Sequence, residues 1–162
     1  MKTKAKYKSV CLAVLFFFIL GATVAGCSHQ QTAPQAPTLY ERVGGASNIA
    51  MLVDDVIERA YADPVFAANP RIHEAHKRFP KAIYKFNATC LACQGMGGPQ
   101  VYTGRTLEEA HKHLKVTEKE WQRLIQIFRE SMASFNVPQK EQNEVIAMIE
   151  STKDQIMADE NH

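Results

Sequence analysis

The stretch from Gly97 to Trp121 constrains the fold of this chain more than any other. Gly97-Gly98-Pro99 must break whatever helix precedes it, because glycine takes positive φ freely and proline has no N–H to donate. Thr106-Leu107-Glu108-Glu109 is a capping-box pattern that starts a new helix at once, and Thr117-Glu118-Lys119-Glu120 starts another. Between the two caps, Leu107, Ala110, His111 and Leu114 fall at i, i+3, i+4 and i+7 and share one face, while His113 points among Glu109, Lys112 and solvent. One imidazole is therefore held toward the interior on a short, tightly bounded helix. By spacing alone, a histidine so placed is more often a hydrogen-bonded core residue than a ligand.

The rest of the chain reads as helices, with no run that would make a strand. Ile49, Leu52, Val53, Val56, Ile57 and Ala60 stripe a first helix ending near Asp63-Pro64. Asn69-Pro70 and Phe79-Pro80 bound a loop with one short helix from Ile72 to Arg78. Another helix follows from Lys81 to Met96. Trp121, Leu124, Ile125, Phe128, Met132 and Phe135 stripe a long helix that stops before Val137-Pro138, and Val145, Met148, Ile149 and Ile156 stripe the last one. The pattern is that of a small all-α domain, and the stripes are core by default.

The amino terminus carries an address. Lys2, Lys4, Lys6 and Lys8 precede the apolar run Val10 to Leu20, and Val24-Ala25-Gly26-Cys27 follows. This is signal-peptide architecture, and the run is too short for an ordinary transmembrane span. The four residues ending in Cys27 resemble a bacterial lipobox, so residues 1–26 are expected to be removed and Cys27 lipidated. Ser28 resembles outer-membrane sorting, which places the chain in a bacterial envelope, facing the periplasm. Residues 27–37 read as lipidated cysteine plus flexible tether, and 38–162 as one domain. Removing residues 1–26 takes four lysines and no acids, so the charge falls from +2 to −2. No basic stripe is left for nucleic acid. Cys90-Leu91-Ala92-Cys93 is a C-x-x-C, but Gln94 stands where covalent c-type haem attachment needs His. It reads either as two small apolar residues on a helix face or as a redox pair.

Gly97-Gly98-Pro99, then Tyr102-x-Gly104-Arg105, then His111, Thr117 and Trp121 resemble the group 1 truncated haemoglobins of the globin family. The segment Thr38 to Gly45, followed by Ile49, Val53, Asp54 and Asp55, is similar to that family's opening helix. The resemblance spans roughly 39–156 and implies a two-over-two helical sandwich around one non-covalent haem b. It makes His111 the proximal iron ligand, with O2, NO or CO as gas ligand and a reductase as partner. The wall residues it implies are Phe86, Leu91, Leu107, Leu114, Trp121, Ile125 and Phe128. On the distal side the chain departs from the family. Ile57 stands where members carry a ligand-bonding tyrosine, and Phe66-Ala67-Ala68 lacks the usual pair of phenylalanines. Counting back from the glycine turn places Tyr84 and Ala88 toward the ligand, with Asn87 one register away, which makes Tyr84 the candidate donor. His73 and His76 read as solvated, or as a sixth iron ligand. Side activity as an NO dioxygenase or peroxidase is left open. The alternative is a haem-free envelope lipoprotein acting as a partner-binding or thiol-redox module.

Overall fold

The computed structural model describes residues 35–157. The expected signal peptide and lipidated Cys27 lie outside the described residues, as does the tether except for Gln35, Ala36 and Pro37. Helix α1 (Leu39–Arg42) begins on a capping box, in which the Glu41 N–H donates to Thr38 Oγ1 at 3.2 Å and the Thr38 N–H donates to Glu41 Oε2 at 2.8 Å. Helix α2 (Gly45–Ala62) is followed by two shorter helices, α3 (Pro64–Ala67) and α4 (Pro70–Arg78). Both have proline in the first turn, where a missing N–H costs no intrahelical bond. Helix α5 (Lys81–Gly95) leads to the glycine turn, and α6 (Leu107–His111) runs into a 3₁₀ turn, Lys112–Leu114. Helices α7 (Glu118–Ser134), α8 (Gln139–Glu150) and α9 (Lys153–Ile156) complete the described residues.

Helices α2 and α5 pack as one pair and α7 and α8 as the other, with α2 against α7 joining the layers. This is the two-over-two sandwich. Its core holds Ile49, Val53, Cys93, Trp121, Ile125, Met132 and Val145. A second buried group, Val56, Phe66, Ile72 and Ile127, fills the end where α3 and α4 cross.

The glycine turn is a docking point for α1. Gly97 has φ +84°, the left-handed region that side chains resist. The Gly98 N–H donates to the Cys93 carbonyl at 2.8 Å, and the Tyr40 N–H donates to the Met96 carbonyl at 2.9 Å. A Cβ on Gly98 would stand 2.5 Å from Tyr40 Cδ2 and 2.8 Å from the Cys93 oxygen. The two motifs that carry the family resemblance thus touch each other.

Three sequence expectations change. The segment between α2 and α5 is not a loop with one helix: α3 precedes Asn69, and α4 starts two residues earlier than expected, at Pro70, because Asn69 Oδ1 accepts from the Arg71 and Ile72 N–H groups. The last stripe does not lie on one helix. Ser151 and Thr152 hydroxyls donate back to the Met148 and Ile149 carbonyls at 2.6 and 2.7 Å, and the chain breaks there, so Ile156 sits on α9. Phe135 caps α7 and is 40% exposed rather than core.

Gly98→Ala is expected to cost about 1–3 kcal/mol in urea unfolding, the usual scale of overpacking against backbone. Gly95→Ala, whose Cβ meets only the flexible Met148 sulfur at 3.0 Å, should be close to neutral in the same assay.

Candidate functional site

His111 is the last residue of α6. Its Nδ1–H donates to the Leu107 carbonyl at 2.8 Å. A carbonyl only accepts, so the proton is on Nδ1 and the lone pair on Nε2. Burial pushes the His111 pKa down, partly opposed by the bond to Leu107, with His113 and Arg105 adding to the lowering. The ring is therefore neutral near pH 7, the form that can ligate a metal.

The five-residue helix is held at both ends. At its start the Thr106 N–H donates to Glu109 Oε2 at 2.9 Å and the Glu109 N–H donates to Thr106 Oγ1 at 3.2 Å. Beyond its end, Asn69 Nδ2 donates to the Leu114 carbonyl at 3.2 Å. Lys115 then takes φ +54°, Val116 makes an isolated parallel bridge with Met157, and Thr117 opens α7 with its own capping box. The α-helix ends at His111, so Leu114 belongs to the 3₁₀ turn rather than to the same helix. Its side chain packs against the core.

Between α5 and the segment before α6 opens a cleft of about 590 Å³. Phe79, Ile83, Tyr84 and Asn87 form one side, and Thr103, Gly104, Arg105 and Glu109 the other. The size lies within the usual range for cofactor sites. Phe79 and Ile83 are 43% and 48% exposed, apolar surface left facing the opening. The Arg105 guanidinium lies 5.9 Å from the Phe79 ring centre. His111 does not border this opening, whereas Glu109, two residues before it, does.

Of the expected wall residues, Trp121 and Ile125 are buried, and Leu107, Leu114 and Phe128 are half-buried against the core. Leu91 is half-buried on α5. Phe86 is 69% exposed and faces solvent. Tyr84 borders the cleft, but its hydroxyl donates to the Ala75 carbonyl of α4 at 3.1 Å. Ala88 and Ile57 pack on the core, and Asn87 borders the cleft. Cys90 is half-buried and Cys93 fully buried, both as free thiols. Burial, then the neighbouring Cys90, pushes the Cys93 pKa up, which makes it a poor nucleophile. Among the described residues no three His, Cys, Asp or Glu side chains converge on a metal site.

Sequence reasoning missed Tyr61. Its ring stacks on His76 at 3.6 Å between centres and 10° between planes, and meets Tyr84 edge-on at 6.4 Å. His73 is exposed, as expected, but His76 is half-buried in this stack rather than solvated, and burial lowers its pKa. The Tyr61 hydroxyl is buried without a hydrogen-bond partner. Burial, reinforced by Tyr84 and Glu58, pushes its pKa up to about 12. The available signal was spacing: Tyr61 lies one helical turn beyond Ile57, on the same face of α2.

Burying an unsatisfied hydroxyl costs about 1–3 kcal/mol. Tyr61→Phe should therefore raise the thermal midpoint of the domain purified without added ligand. A lowered midpoint would show that the hydroxyl has an acceptor in solution.

Residues 38–158 match the family described as bacterial-like globin. Comparison with curated proteins found no match. Among solved structures, the truncated hemoglobin of Tetrahymena pyriformis in its Fe(III) form superposes with TM-score 0.66 at 22% identity, over 76% of this chain and 100% of that chain. The 2/2 hemoglobin of Synechococcus sp. PCC 7002, in the cyanomet state with covalently attached heme, gives 0.64 at 20%, over 75% and 98%. The group II truncated hemoglobin of Bacillus anthracis gives 0.63 at 19%, over 78% and 97%. At these identities the likeness is one of fold.

Proposed function

The chain belongs to the bacterial-like globin family, and on that premise we propose that it holds one haem b non-covalently, with His111 as the protein ligand to iron, and binds a diatomic gas such as O2, NO or CO reversibly. The observation that carries this reading is the Nδ1–H bond from His111 to the Leu107 carbonyl. It fixes the tautomer that presents Nε2 and restrains the ring plane, as the outer partner of a ligating histidine does. The fit is supported further by the neutral ring and by a cleft with an exposed apolar border, reached by Glu109 two residues before His111 and not by His111 itself. The spacing of Gly97-Gly98-Pro99, Tyr102, Arg105 and His111 supports group 1 within the family.

Bound haem, held by His111, would supply an iron able to bind a diatomic gas. The chain supplies the rest. Leu107, Leu114, Trp121, Ile125 and Phe128 keep water from the proximal side, and Leu91 lies on the helix opposite. Arg105, a cation at the cleft, suits the carboxylates of haem. Tyr84 and Asn87 border the cleft on the distal helix with a phenol and an amide as donors. The phenol has one proton, so it serves a ligand only by releasing the Ala75 carbonyl. A reductase partner would restore ferrous iron.

Absorption spectra of the purified domain in ferric, ferrous and CO-bound states test the reading. His111→Ala should lose haem or its proximal coordination, and His113→Ala, whose side chain is exposed, should keep the wild-type spectrum. A wild-type domain that stays colourless after haemin is added overturns it.

The chain is further proposed to be exported and anchored at the outer membrane through Cys27, facing the periplasm. Four lysines, the apolar run Val10 to Leu20 and Val24-Ala25-Gly26-Cys27 support this. Metabolic palmitate labelling should mark the wild type and not Cys27→Ser. A mature, soluble periplasmic form with unmodified Cys27 would refute the anchor.

A further inference from the structure

The carboxy-terminal end of the described chain is built onto the element that carries His111. The break at Ser151 and Thr152 separates α9 from α8, and α9 packs against α6. Three attachments tie down this end of the chain, one from Glu150, the last residue of α8, and two from beyond the break. Met157 bridges Val116, directly after the left-handed Lys115. Glu150 Oε2 accepts the indole N–H of the fully buried Trp121 at 3.0 Å. Lys153 Nζ pairs with Glu118 at the start of α7, 2.9 Å from Oε2. Ile156 is buried in the same core cluster as Trp121 and Val116, against which Leu107 and Leu114 pack.

We infer that residues 150–157 are a strap that sets the orientation of the proximal histidine, with Glu150 as a positioning residue acting through Trp121. This rests on the proposed role of His111. A helix as short as α6 has no stable direction of its own, so its surroundings decide where the imidazole points. The exposed Lys153–Glu118 pair carries little of that weight. The larger share belongs to the Trp121 bond, which is charge-assisted and made by a buried donor, and to the packing of Ile156. Glu150→Ala leaves the indole N–H without a partner, whereas Glu150→Gln keeps an acceptor oxygen at the same reach.

The test uses the purified, haem-loaded chain as wild type, Glu150→Ala, Glu150→Gln and a truncation after Thr152. Resonance Raman of the ferrous, gas-free protein reads the iron–histidine stretching band, and transfer of haem to excess apomyoglobin reads its hold on the cofactor. Glu150→Ala should shift and broaden the band and release haem about tenfold faster, the scale of one lost charge-assisted hydrogen bond. The truncation, which keeps Glu150 but removes buried Ile156 and the Met157 bridge, should also shift the band and speed release. Glu150→Gln should restore both. Thermal midpoints that fall while band and transfer rate stay unchanged overturn the strap. Should the truncated chain fail to fold, Glu150→Ala and Glu150→Gln decide alone. A wild-type protein with haem but no sensitivity to Glu150 defeats this inference only, whereas a wild type that takes up no haem, or shows no iron–histidine band, defeats the proposed function and the strap with it.

Discussion

A helix of five residues cannot hold itself, and the site depends on how this one is held. Nucleation fixes several dihedral angles for one hydrogen bond, so α6 forms only because its ends are tied elsewhere. Thr106 and Glu109 satisfy the first turn, and Asn69 takes a carbonyl past the last. Lys115 reverses the chain in a conformation that costs a non-glycine residue energy, which the Val116 bridge and the α7 cap offset. The bond from His111 to Leu107 is useful only within this frame, since a ring fixed on a wandering helix would aim at nothing.

Much of this was readable in the sequence because its causes are local. Capping boxes at Thr106 and Thr117 follow from residues three apart, and the stripes of α2 and α7 follow from helical period. The inward direction of His111 came from the same arithmetic. What the sequence concealed is tertiary. Tyr61, His76 and Tyr84 sit on α2, α4 and α5, and no spacing rule brings three helices to one aromatic stack. The break after α8 escaped for another reason: hydroxyls that back-bond to carbonyls look harmless in a hydrophobic pattern.

Several departures from the general rules lie close together. Phe79 and Ile83 leave apolar surface open, the Tyr61 hydroxyl is buried and unpaired, and His76 gives up solvation to stack on it. All belong to α2, α4, α5 or the junction between α4 and α5. Where α7 meets α8, Ser131 and Met132 are buried and Arg42 spans to Glu141 and Glu144, while Phe135 is left 40% exposed and Asn136 takes φ +55°.

Asn69 gives this arrangement a mechanical character. Its oxygen caps α4, on the side of the molecule that holds the aromatic stack, while its nitrogen grips the turn after His111. One planar amide therefore ties the start of α4 to the turn that follows His111, and neither bond survives rotation of the group without the other. Loosening of the start of α4 and release of the turn after His111 thus become a single event rather than two independent ones.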